Sequence, residues 1–242
     1  MDAIFFVFFV IIFGACVGSF LTMAMHRMPA GEDMVFTASH CPKCGKRLRK
    51  RSLIPIASFL IQRGKCLECG EKIDKKYILA ELANVAAYFA LFCFYGASLK
   101  TFCLGILFSV IFLISYIDFV TLTIDPRTLI FLFFLAIIHM LFSRMDALGA
   151  MFSGGVYYIF IVISEKLTKI ITGREIDFIG GGDEKIIAAI GIFLGIKRVG
   201  WFFLLAGLLG LLTGLVWKNL LKKNEKFPFA PALLLSLFAL LL

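Results

Sequence analysis

The sequence predicts an all-α polytopic membrane protein of about eight transmembrane helices with a small cytoplasmic domain between the first two. Composition, the spacing of apolar runs and the placement of basic residues carry that reading. Of 242 residues, 61% are hydrophobic and 17% charged, with 28 Phe and a mean hydropathy of +0.96. Average soluble domains are roughly 45–50% apolar and about 25% charged. The excess is too large for one buried core and excludes both an ordinary soluble enzyme and a disordered chain. At about 20 residues per spanning helix, eight helices use roughly 160 residues and leave about 80 for the rest.

The apolar runs fall at 3–25, 77–95, 102–117, 128–143, 147–163, 186–196, 199–217 and 228–242. No Lys or Arg precedes the first run, which continues to Met25, beyond the length of a signal-peptide core. It reads as a permanent anchor. The second run follows the one long polar loop, and the third ends in an acid, Asp118. The sixth run is short and recruits neighbours such as Asp183 to approach the thickness of a bilayer. The expected division is 1–25 as first transmembrane helix, 26–76 as loop domain and 77–242 as a seven-helix membrane domain. No internal repeat stands out, which argues against the repeated broken helices of a transporter.

Lys and Arg number 21 in the loops 26–76, 118–127, 164–185 and 218–227, and four in the alternate loops. Basic loops stay in the cytoplasm, so those four segments are expected inside and both termini outside. The net charge of +9 then reports topology and lipid contact rather than nucleic acid.

The loop carries Cys41-Pro-Lys-Cys44 and Cys66-Leu-Glu-Cys69, with 21 residues between the pairs. Each C-x-x-C lets two thiolates hold one ion from a tight turn, and two such turns close a tetrahedral sulfur shell around zinc. A redox dithiol or two disulfides is the competing reading, disfavoured by the reducing compartment that the charge pattern assigns to the loop. With four protein ligands the metal is structural, ordering a loop too polar to fold by burial. Cys16, Cys93 and Cys103 lie in apolar runs and read as packing residues.

Two segments carry acids at membrane depth, where ionised groups are costly and mark function. Asp118 closes the third run, and Gly180-Gly181-Gly182-Asp183-Glu184-Lys185 opens the sixth. Three glycines resist regular helix and allow close backbone approach at Asp183. Two carboxylates sharing a proton can activate water against an amide, one as base and the other as acid. The bland alternative is that each acid caps a helix or pairs with Lys185. His26 and His139 are isolated and read as helix-end packing or hydrogen-bonding groups, His40 beside Cys41 is dispensable for zinc if all four thiolates bind, and Trp201, Trp217, Tyr116 and Tyr157 read as interfacial anchors or packing.

At this point the chain resembles the type IV prepilin peptidases, membrane aspartic proteases of the GxGD kind. The resemblance rests on five segments in order: Gly18-Ser19-Phe20-Leu21 with His26-Arg27-Met28-Pro29; the cysteine loop from Ser39 to Gly70, including Ile54-Pro55-Ile56-Ala57-Ser58-Phe59, on to Tyr77 and Glu81; Ile117-Asp118 with Ile124; Gly180 to Lys185 with Ala188-Ala189-Ile190-Gly191; and Phe227-Pro228-Phe229-Ala230-Pro231. It spans about residues 14–233. Two departures stand out. Asp125-Pro126 reverses the family's usual order, so Asp125 reads as a turn or N-cap residue with Pro126 and Thr128 setting the next helix, and Thr22 replaces a common Asn.

The resemblance implies a prokaryotic inner-membrane endopeptidase acting on type IV prepilin or pseudopilin precursors, with Asp118 and Asp183 catalytic and Gly180, Gly182 and Lys185 supporting them. It also implies methylation of the new N-terminus with S-adenosylmethionine, for which Glu81 is the candidate residue. No G-x-G-x-x-G nucleotide motif is present to support that activity independently. A zinc-organised scaffold without catalysis, and a GxGD protease acting on other membrane proteins, are the alternatives.

Overall fold

The computed structural model describes residues 2–142, 147–172, 182–220 and 227–242. Among them the regular structure is helical: α1 (Asp2–Ala30), α2 (Ala57–Ile61), α3 (Lys75–Tyr95), α4 (Leu99–Thr121), α5 (Pro126–Phe142), α6 (Ala147–Thr172), α7 (Asp183–Leu194), α8 (Val199–Leu220) and α9 (Ala230–Leu241). Each of the eight apolar runs coincides with one helix, and α2 is a short helix inside the cysteine loop. Among the described residues four helices are long and apolar enough to cross a membrane, at Ile4–Ala30, Lys75–Tyr95, Leu99–Thr121 and Ile196–Asn219, and shorter apolar helices accompany them. The sixth run forms a helix of only 12 residues, about 18 Å long at 1.5 Å per residue. It starts at Asp183 itself and stops at Gly195, whose φ of 66° breaks the helix.

The chain folds as two compact units, 1–109 and 110–242. In the first, α1 and α3 lie side by side. Contact is close because small residues face large ones: a Cβ at Gly18 would come within 2.8 Å of the Glu81 Cα, and Gly14 abuts Tyr88. Phe13 stacks edge-on with Phe102 at 5.4 Å and lies 5.6 Å from Tyr88. Asn84 ties α3 to α4: the Ser109 hydroxyl donates to Asn84 Oδ1 at 2.7 Å, and Asn84 Nδ2 donates to the Ala80 carbonyl. Cys16 and Cys93, expected as packing residues, are exposed on their helices.

In the second unit α7 is the central helix. Ile186, Ile187, Ala189, Ile190, Gly191, Phe193 and Leu194 are all buried, while Glu184, Ala188 and Ile192 are half-buried and Lys185 is exposed, so the helix is covered around most of its circumference and open along one side. It packs on α5, α6 and α9. Gly154 and Gly191 let α6 and α7 approach until a Cβ at Gly191 would lie 2.7 Å from the Gly154 Cα. The Ser153 hydroxyl donates to the Gly191 carbonyl and Tyr157 Oη to the Gly195 carbonyl, tying the same pair. His139 packs against Phe193 at 5.4 Å. Trp217 is buried beside Phe119 as packing, whereas Trp201 is 68% exposed.

Candidate functional site

The cysteine loop begins where α1 ends and closes where α3 begins. Two small hairpins repeat the same bonding. Cys41 N–H donates to the Lys46 carbonyl and Gly45 N–H to the Cys41 carbonyl; Cys66 N–H donates to Glu71 and Gly70 N–H to Cys66. Gly45 and Gly70 sit at φ of 69° and 71°, the left-handed conformation that lets each turn fold its two thiols onto one side. The four Sγ atoms lie within 4.8 Å of one another. A tetrahedral Zn²⁺ with Zn–S bonds of about 2.3 Å holds its sulfurs about 3.8 Å apart, so the donor set fits one ion. Backbone N–H groups of Glu68 and Cys69 push the Cys66 thiol down to about 7, while Cys69, despite the Glu71 N–H, is pushed up to about 11 by burial and the neighbouring thiols, so a bound cation is what would hold all four as thiolates. Around the cluster, the Arg49 guanidinium pairs with Glu68 at 2.8 Å.

The α1 exit is held by Arg27, which is 3% exposed and donates to the Asp33 and Ala38 carbonyls at 3.0 and 3.1 Å. Asp33 in turn receives the Phe36 and Val35 N–H groups, which hold its carboxyl below the usual range. His26, which looked isolated in sequence, and His40, beside Cys41, both approach Glu32 Oε2, at 3.9 and 3.8 Å. Glu81 is buried. Its Oε2 accepts the Ile56 N–H at 2.7 Å.

The acids of the second unit occupy helix ends. Asp118, 6% exposed, lies near the end of α4, and Asp183, 8% exposed, is the first residue of α7. Asp118 Oδ2 accepts the Ala230 N–H at 3.1 Å. Ala230 is the first residue of α9, so this donor is one of the N–H groups a helix leaves without an internal partner. The carboxylate also meets the positive end of the α9 dipole. Gly182, immediately before Asp183, faces Ile124: a Cβ there would meet Ile124 Cδ1 at 2.9 Å and Cβ at 3.0 Å. The α4 exit, the start of α7 and the start of α9 therefore lie together at one end of this unit. Lys185 is exposed. Gly180 and Gly181 lie outside the described residues.

Asp125 caps α5. Its carboxylate accepts the Arg127 N–H at 2.8 Å and pairs with the same guanidinium at 2.8 Å, while the Thr128 hydroxyl donates to its carbonyl. The Arg127 side chain holds the Asp125 carboxyl below its ordinary range. The contribution of Ala230 was not identified from sequence, because a backbone donor has no residue signature; the signal was the proline-flanked start of α9.

Residues 12–95 match the family described as Bacterial Peptidase A24 N-terminal domain, and residues 105–215 match the Type IV leader peptidase family. The chain is 33% identical over 225 residues to a Bacillus subtilis (strain 168) protein named prepilin leader peptidase/N-methyltransferase, covering 92% of this chain and 88% of that one. Proteins of the same name are 30% identical in Burkholderia pseudomallei (strain 1026b), with 93% and 81% covered, and 26% identical in Vibrio cholerae, with 98% and 96% covered. No solved structure matches the chain. With both segments matched in order, and the cysteine loop falling in the first and both acids in the second, the chain belongs to the type IV leader peptidase family.

Proposed function

We propose that the chain is a membrane aspartic endopeptidase that removes the leader of type IV prepilins or pseudopilins at the cytoplasmic face of the inner membrane, and that it methylates the new N-terminus with S-adenosylmethionine. Asp118 and Asp183 are the catalytic pair. One carboxylate takes a proton from water, the other, protonated, polarises the scissile carbonyl, and the proton passes to the departing amine. The peptide bond after the leader's last glycine breaks, giving a leader carboxylate and a free N-terminal amine. The observation that carries this reading is the Ile124–Gly182 contact, since it draws the two acid-bearing segments to one end of the fold while Asp118 holds the α9 start.

The Ala230 N–H fixes one oxygen of Asp118 and leaves the other for water or substrate. Gly182 admits the close backbone approach, and Lys185 stands at the exposed edge, where it can meet the substrate backbone or lipid phosphate. Residues 26–76 form the cytoplasmic domain, with zinc held by Cys41, Cys44, Cys66 and Cys69, and residues 77–242 form the membrane domain carrying the acids. Zinc with four thiolates supplies order rather than an open coordination position. The basic loops match a substrate whose leader waits at the inner surface, with its apolar helix alongside in lipid. Membranes carrying the chain, incubated with a prepilin and S-adenosylmethionine, test both steps when the product N-terminus is read by mass spectrometry. Loss of the leader with a 14 Da gain on the new terminus is expected; an intact precursor removes the peptidase reading.

A further inference from the structure

Most of the cysteine loop is polar, yet its middle is not. From Leu53 to Ile61 every residue but Ser58 is apolar, and the stretch is bracketed by Lys50 and Arg51 on one side and Arg63 and Lys65 on the other, with no acid between Arg49 and Lys65. Helix α2 forms inside it, and its residues face two ways. Ser58 and Phe59 line a cavity of about 210 Å³ together with Thr22 and Met23 of α1 and Tyr77 and Ile78 of α3. Leu60 and Ile61 stay outside that lining, 64% and 78% exposed, and Leu53 and Ile54 are exposed as well.

The depth of this apolar face follows from one bond. Ile56, the residue before α2, donates its N–H to Glu81 Oε2 at 2.7 Å. Helix α3 has 21 residues, about 30 Å at 1.5 Å per residue, which is the thickness of a bilayer's hydrocarbon core. Glu81 stands about 9 Å along it from Lys75, and its side chain leans back toward the helix start. The same level on α1 is Gly18, packed against the Glu81 Cα about 18 Å short of the helix end at Ala30. The turn into α2 is thus tied to α3 on the membrane side of Lys75 and Lys76, and the helix that follows it lies at the edge of the bilayer rather than out in water.

Two further features say what covers the face. Leu79 and Leu82, exposed on the turns of α3 around Glu81, already give this level a lipid-facing surface. Lys50, Arg51, Arg63 and Lys65 are all exposed and complement anionic headgroups, as basic residues beside an interfacial apolar face do.

We propose that α2 and its flanks dock on the bilayer: Leu53, Ile54, Leu60 and Ile61 enter the boundary between headgroups and acyl chains in the leaflet at the α1 exit, while Lys50, Arg51, Arg63 and Lys65 meet anionic lipid phosphates. The cysteine loop is then held to the membrane by a contact of its own, besides the two helices that tether it.

The full chain in nanodiscs of mixed phosphatidylglycerol and phosphatidylcholine, without substrate, carries the test. Ile61→Trp adds one fluorophore, read as the emission gained over the parent chain, which keeps Trp201 and Trp217. Acyl chains brominated near the headgroup quench a side chain that touches them, and acrylamide quenches one that faces water. The gained emission is expected to fall at least about threefold in brominated lipid, as for a residue at the depth of an interfacial helix, and to resist acrylamide. If Ile61→Trp does not reach the wild-type melting transition, Leu60→Trp gives the same reading in its place. Quenching by acrylamide and not by bromine overturns the proposal, and so does protection from both, the sign of a second copy of the chain on this face. Acrylamide quenching that only an added prepilin suppresses overturns it too, in favour of a substrate-docking surface. Replacing phosphatidylglycerol by phosphatidylcholine throughout is expected to weaken the bromine effect; an equal effect in both overturns the phosphate contacts.

Discussion

The Ala230 N–H donates to the Asp118 carboxylate at 3.1 Å across 112 positions of sequence. One bond thus joins the end of α4 to the start of α9, and it gives Asp118 a structural duty separable from chemistry. Asp118→Asn retains an acceptor for Ala230, whereas Asp118→Ala leaves the α9 start without its partner. Removing a helix-capping acceptor costs about 1 kcal/mol. Thermal melts of the two variants are expected to place alanine below asparagine by about that amount, and equal melting points would show that the bond contributes nothing to the fold.

Gly182 makes the second joint. A methyl group there meets Ile124 at 2.9–3.0 Å, tighter than the packing of real side chains allows without a shift. Gly182→Ala is therefore expected to lower leader cleavage by about tenfold, a displacement effect of the size seen when reacting groups move by a fraction of an ångström. Shortening the neighbour in Gly182→Ala/Ile124→Ala should restore part of the loss. Additive losses in the double variant would mean that the two residues do not act through contact.

For the cysteine loop, metal content is the direct measure. One zinc per chain is expected by elemental analysis, falling in Cys41→Ser and Cys66→Ser. Chelation should expose the loop's Lys and Arg residues to trypsin, because its order depends on the ion. A metal-free chain with two disulfides would contradict the zinc assignment and favour the redox alternative.

The 21-to-4 distribution of basic residues makes a testable prediction about sidedness. A reporter enzyme active only outside the cytoplasm, fused after Leu242, should be active, and one inserted at Arg63 inactive. The reverse pattern would place the acids on the face away from a cytoplasmic leader.

Much of this arrangement was legible in the sequence for physical reasons. Apolar runs report helices because lipid tolerates no unpaired backbone, and the paired C-x-x-C turns report a thiol cluster because their geometry is local. The Asp125 cap was equally local, set by Pro126 and Thr128. Long-range contacts were not legible. Nothing in Ile124 announces that it meets Gly182, nor in Ile56 that its N–H is turned onto Glu81, because both depend on how distant helices pack. The approach of His26 and His40 to one carboxylate was hidden for the same reason: Glu32 brings them together only once α1 has ended and the loop has folded back. The short length of α7 was legible in the short sixth run, but its burial was not, since burial among protein neighbours and contact with lipid select the same side chains.

The central claim is that Asp118 and Asp183 cleave as a pair. Membranes containing wild type, Asp118→Asn or Asp183→Asn, at matched levels and with matched zinc content, are to be incubated with a prepilin and the product termini read by mass spectrometry. Each single substitution is expected to lower cleavage by at least about 100-fold, the scale of losing a general acid or base, with the double variant no worse than either alone. Cleavage at the wild-type rate by either single variant would contradict the paired mechanism.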